Sequence, residues 1–147
     1  MADVNSFSIG KQCTLIIQHP LAVGGRLDLS IITDFDAKPT NKDVMVDGLD
    51  GINRTQFLPQ HVVITFSLDR ADPTADAFGA ALEKAYFDGN GFVPSGTVLQ
   101  YIQEANGSTT TYQYEGVALK VDDFGSWKGD SAVKQKLTGH AQRRRTI

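Results

Sequence analysis

His61-Val62-Val63-Ile64-Thr65-Phe66-Ser67-Leu68-Asp69 is the stretch whose pattern settles the fold class. Val62, Ile64, Phe66 and Leu68 alternate with Val63, Thr65, Ser67 and Asp69. That period of two belongs to a half-buried strand, because successive side chains leave opposite faces. The period then changes. Asp72 offers a carboxylate for a helix cap and Pro73 suits the first helical position. Phe78, Ala81, Leu82 and Ala85 recur at helical spacing as a buried stripe, with Asp76, Glu83 and Lys84 turned away. Gly89-Asn90-Gly91 ends the predicted helix, which spans 73–88.

Upstream, Lys11 to Gln18 reads as a strand with Cys13, Leu15 and Ile17 on one side and Thr14 and Ile16 on the other. His19-Pro20 ends it, since proline cannot donate to a ladder. Gly24-Gly25 turns the chain into a second strand-like run, Leu27 to Thr33, predicted to pair with the first. Leu27, Leu29 and Ile31 face one way there, and Asp28 and Ser30 the other. Residues 37–60 are too long for an ordinary connection, where about 4–6 residues is usual. They are also too apolar for a free linker: Val44, Met45, Val46, Leu49, Ile52, Phe57 and Leu58 call for burial. The reading is a protruding arm that docks on a partner, or else a loop folded back on its own body.

Downstream, 97–121 reads as a hairpin. Asn106-Gly107 suits a two-residue type I′ turn. Such a turn places Tyr101 opposite Tyr112 and Leu99 opposite Tyr114, and gathers Gln100, Glu104, Thr109, Thr111, Gln113 and Glu115 on the other face. That polar face meets either solvent or a water-filled bore. Past Gly116 the apolar phase flips to Val117, Leu119 and Val121, as a bulge would cause. A weakly alternating, partly exposed strand follows within 132–147. Arg143, Arg144 and Arg145 close it as a solvated tail, or as ion-pair donors to an acidic neighbour in an assembly.

The chain has 147 residues, enough for one domain with a core. With 41% hydrophobic and 21% charged residues it has a globular balance. A net charge of -3 speaks against a dominant nucleic-acid-binding role. The lone Cys13 excludes an internal disulfide and reads as a small buried hydrophobe. The start lacks a signal-peptide pattern and no apolar run is long enough to span a bilayer, so the expectation is folding in a reducing cytoplasm. The sequons at Asn53 and Asn106 are then chance matches. No phosphate-cradling glycine motif or nucleophile elbow occurs. His19, His61 and His140 are scattered. Asp43, Asp47 and Asp50 fail the calcium-loop template, because Met45 stands where an Asp or Asn is needed. Neither catalysis nor a cofactor is expected.

Taken together, the chain resembles the tail tube proteins of contractile-tailed bacteriophages, a superfamily with bacteriocin and type VI secretion tubes. The likeness rests on Ile32 to Asp36, the arm around Val46-Asp47-Gly48, the strand from Val62 to Leu68, the capped helix, the polar hairpin and the basic end. It is a match of length, element order and character over nearly the whole chain. The resemblance implies a mainly β fold with one α-helix, a β-sandwich or barrel-type tail tube domain over 1–147 with a long protruding arm. It implies six subunits closing into a ring, with rings stacked as a conduit for viral DNA. Val44, Met45, Val46, Leu49, Phe57 and Leu58 would then anchor the arm on the next ring. Gln100, Glu104, Thr109, Thr111, Gln113 and Glu115 would face the lumen. Implied partners are other copies, a tail sheath, a baseplate initiator, a tail terminator and a tape measure protein, in a virion tail assembled in the host cytoplasm with no membrane. The competing readings are a tube initiator, a terminator or a secretion-tube subunit. A small-molecule-binding β-barrel is a further rival and would need a deep pocket.

Overall fold

The computed structural model describes residues 7–27, 29 and 31–147. Its strands are β1 (Cys13–Gln18), β2 (Arg26–Leu27), β3 (Ile32–Asp47), β4 (Asn53–Asp69), β5 (Gly96–Gln103), β6 (Thr109–Asp123), β7 (Lys134–Ala141) and β8 (Arg143–Thr146). One helix, α1 (Thr74–Phe87), lies between β4 and β5. The strands form a single antiparallel sheet in the order β2-β1-β5-β6-β7-β4-β3, with β8 also beside β6.

The pivot of that sheet is β6. Its first part pairs with β5 and β8, and residues from Ala118 to Asp123 pair with β7. Between these parts sits Gly116 at φ +59, a left-handed conformation that costs other residues about 1–2 kcal/mol. The register slips there, from Val98↔Tyr114 to Gly96↔Val117, so β6 carries one extra residue. This is the bulge anticipated from the phase switch. The bend lets the two parts of the sheet pack on each other. The outer layer is β2, β1, β5, the first part of β6 and β8. The second layer is the last part of β6, then β7, β4 and β3.

Ile17, Val98 and Tyr114 from the outer layer meet Ile64, Phe66 and Leu137 from the second, all at most 1% exposed. Burying each such apolar side chain contributes about 1.5–3 kcal/mol. The Tyr114 ring also meets Phe35 of β3 edge to face, centroids 6.1 Å apart. Its hydroxyl donates to Gln100 Oε1 at 2.9 Å, so the buried phenol keeps a polar partner.

α1 closes one end of the sandwich. The Thr74 N–H donates to the Asp72 carboxylate at 3.2 Å, but the helix begins at Thr74 with Pro73, not Asp72, in the cap position. The buried helical positions are Ala75, Phe78 and Gly79. Ala81, Leu82 and Ala85, expected in the stripe, are only partly covered, so the buried face lies nearer the N-terminus. Gly79 fits under Phe124, where an added Cβ would come within 2.9 Å of the ring. Asp76 anchors the helix by an ion pair to Arg70 (2.9 Å) and by accepting from the amide of buried Gln135 (2.8 Å).

One expectation changes and another takes a definite form. The strand read over Leu27 to Thr33 is divided. Leu27 pairs with Ile17 in β2, while Ile32 already belongs to β3 and pairs with Leu68. Leu27 and Leu29 are buried but Ile31 is half exposed, and Asp28 and Ser30 lie outside the described residues. Residues 37–60 are the protruding arm rather than a loop folded back on the body. They continue β3 and β4 as a two-stranded ribbon, paired as far as Asp47↔Asn53.

Candidate functional site: the arm and the open edges

The arm begins where β4 loses β7. Their last paired residues are Val62 and Ala141, and beyond them β4 has only β3. At about 3.4 Å per residue, the stretch from Asn41 to Asp47 carries the ribbon roughly 24 Å from the body. Its tip is a type I turn with a glycine bulge. Gly51 N–H donates to Gly48 O and Gly48 N–H to Ile52 O, both at 3.0 Å. Asp50 accepts from Ile52 N–H at 3.0 Å and pairs with Arg54 at 2.9 Å. The Arg54 bond, helped by the Ile52 N–H, holds the Asp50 carboxyl below the usual range.

All six arm candidates are exposed, from Val44 (38%) to Leu49 (110%). The register divides them. Met45 and Phe57 stand on one face of the ribbon; Val44, Val46 and Leu58 stand on the other. A ribbon that is apolar on both faces cannot hide both by lying on its own body.

The β5–β6 hairpin closes differently from its expected form. Gly107 (φ +89) donates to Glu104 O at 3.1 Å, and Glu104 N–H to Ser108 O at 2.8 Å. This is the same turn-plus-bulge as the arm tip, so the register moves by one residue: Tyr101 faces Thr111 and Leu99 faces Gln113. The lumen candidates therefore separate. Gln100 sits opposite Tyr112 on the core side, holding Tyr114 and touching Cys13 Sγ at 3.4 Å. Glu104 is in the turn. Thr109, Thr111, Gln113 and Glu115 share the outward face with Leu99 and Tyr101.

The three arginines also separate. Arg144 lies on the core side with its guanidinium 3.6 Å from the Tyr112 ring centroid. Arg145 pairs with Glu115 of its own chain at 2.6 Å, although it was expected to serve a neighbour. Arg143, opposite Glu115 in the register, makes no ion pair among the described residues.

The second layer carries features that were not singled out in the sequence. Its outward face is polar from edge to edge: Asp34, Asp36 and Lys38 on β3, Thr65 and Ser67 on β4, Lys136 and Thr138 on β7, Lys120 on β6. Its charges are locally paired, Lys38 with Asp36 at 3.4 Å, Lys120 with Asp122 at 3.3 Å and Lys134 with Asp69 at 3.5 Å. Thr138 donates to Asp122, and that bond holds the Asp122 carboxyl low. His61 and His140, far apart in sequence, stack there with centroids 5.0 Å apart. Among the described residues, two edges of this layer are unpaired: the outer edge of β3 along its length, and β6 from Ala118 to Asp123. Strand alternation on both β4 and β7 was the signal that could have revealed the polar face. The open edges are set by topology alone.

No protein-family model matches the chain, and no curated protein matches it in sequence. Solved structures do match its fold. A chain of the extended sheath-tube complex of the extracellular contractile injection system PVC aligns at TM-score 0.64 and 11% identity, covering 98% of this chain and 93% of that one. The tube terminating cap of the anti-feeding prophage aligns at 0.64 and 12%, covering 100% and 95%. A tail chain of a gene transfer agent particle, refined with C6 symmetry, aligns at 0.56 and 11%, covering 96% and 99%. The chain has the tail-tube-type fold, mainly β with one helix.

Proposed function

We propose that the chain is a structural subunit of a phage-like tail or contractile injection apparatus, closing head to tail with copies of itself into six-membered rings that stack as an inner tube. The carrying observation is the pair of unlike open edges on one four-stranded layer. Exposed edges invite pairing. Joining the β3 edge of one copy to the β6 edge of the next repeats one contact around a ring and leaves no edge when the ring closes. Six such layers make roughly 24 strands, more than the 16–18 of barrels that already hold an aqueous channel. The polar outward face of the second layer then lines the bore. Its charges are largely self-paired, which limits sticking as nucleic acid or another cargo passes. The hairpin face with Thr109, Thr111, Gln113 and Glu115 belongs to the outer layer on this reading.

The arm supplies stacking. With apolar side chains on both faces it inserts between two subunits of the adjacent ring, burying Met45 and Phe57 against one and Val44, Val46 and Leu58 against the other. Sheath, baseplate, terminator and tape measure components are the partners such a tube would meet in a virion tail. A second reading, a ring that caps or starts a tube, is favoured by the equally close likeness to a terminating cap. Replacing residues 41–57 by a short turn tests the arm. Rings that close but no longer stack are expected. Stacks of normal length from this variant would refute its role.

A further inference from the structure

We propose that the apolar groove between α1 and the free edge of β6 receives the segment Phe7 to Ile9 of the neighbouring copy. This rests on the head-to-tail ring above. The groove holds about 410 Å³ and is lined by Gly79, Leu82, Tyr86, Phe87, Val121 and Phe124. Tyr86, Phe87 and Phe124 are each more than half exposed, and Phe92 and Val93 extend the patch. So much aromatic surface beside an unpaired strand marks an interface.

The complementary feature is the segment that leads into β1 of the outer layer. Phe7 and Ile9 are exposed apolar residues two positions apart. Ile9 is extended (φ -120, ψ 156), which suits both side chains pointing the same way. It is held in place by two bonds at 3.0 Å, from Gln12 N–H to its carbonyl and from its own N–H to Gln12 Oε1. The following residues, Gly10 and Cys13, line a small pocket together with Ile32, Thr33 and Phe35 at the start of β3. The segment therefore travels with the β3 edge. When that edge meets the β6 edge of the next copy, Phe7 and Ile9 arrive beside that copy's α1. Lys11 follows them, and Glu83 stands on the rim of the groove. The occupant is thus a second copy of this chain.

The test places a photo-crosslinking benzoylphenylalanine at Phe7, irradiates the protein at assembling concentration, maps the adducts and images the same sample. Adducts within 79–87 or 118–124 of another chain are expected. Rings whose Phe7 reacts elsewhere, or with no neighbour, overturn this assignment and leave the ring standing. Absence of any ring overturns both. As a second measurement, Phe7→Ser with Ile9→Ser should raise the concentration needed for assembly about 20- to 300-fold, from the apolar surface exposed at the two positions. The melting temperature of the monomer should not change. An unchanged assembly concentration would also overturn the assignment.

Discussion

Replacing Met45 and Phe57 by serine isolates one face of the arm. Both residues are 64% exposed. Full burial of such side chains contributes about 1.5–3 kcal/mol each, so the exposed part of the pair offers roughly 2–4 kcal/mol to a docking contact. At 1.4 kcal/mol per tenfold, the double variant should raise the concentration for ring stacking about 30- to 1,000-fold. Neither side chain belongs to the buried core, so thermal unfolding of the monomer should move by less than about 0.5 kcal/mol. Sedimentation velocity across a dilution series reads the first quantity and thermal unfolding the second. Stacking at the wild-type concentration would refute burial of this face. A monomer destabilised by several kcal/mol would show that these residues serve their own chain.

Four further outcomes follow from the structure. Amides in 41–57 should exchange fast in the monomer, since a lone two-stranded ribbon is marginal in water, and slow down on assembly; equal protection in both states would deny the docking. Gly116→Ala should cost at least about 1–2 kcal/mol in chemical denaturation, from its left-handed backbone and the Gln142 side chain 2.8 Å from the added Cβ. Asp76→Ala removes the partner of Arg70 and leaves the buried Gln135 amide with the Phe124 carbonyl alone, so a loss of about 1–3 kcal/mol is expected. His19 is 1% exposed beside Phe78, and burial pushes its pKa below 6.5. The neutral form is the one the fold favours. Stability should therefore be full above about pH 6.5 and fall as the pH drops toward the lowered folded value. His19→Gln should flatten that slope, and an unchanged slope would locate the titration elsewhere.

Much of the body was legible because its residues obey one period at a time. Val62 to Leu68 alternate and line the core as read, and Phe78 is buried. The phase change at Gly116 marked the bend correctly. Three features were hidden for physical reasons. The arm shows no period of two because both its faces are apolar, and Pro39 and Pro59 interrupt it. Proline is tolerated there because each strand of the ribbon has only one partner. The clue that it was a hairpin was Asp50-Gly51, which ends its turn just as Asn106-Gly107 ends the other. Reading Asn106-Gly107 as a two-residue turn missed the extra bulge residue, and a slip of one moves every side chain to the opposite face. That slip is why Gln100 holds Tyr114 rather than facing outward. The ion pair between Arg145 and Glu115 depends on β8 returning beside β6, a long-range pairing that no local pattern encodes.

Head-to-tail closure through the two open edges is tested most directly by cryo-electron microscopy of the concentrated chain. The expected result is six-fold rings or stacks in which residues of β3 pair with Ala118–Asp123 of the next copy, around a bore lined by the face that carries His61 and His140. Monomers at every attainable concentration, or rings joined through other surfaces with these edges left unpaired, would contradict it.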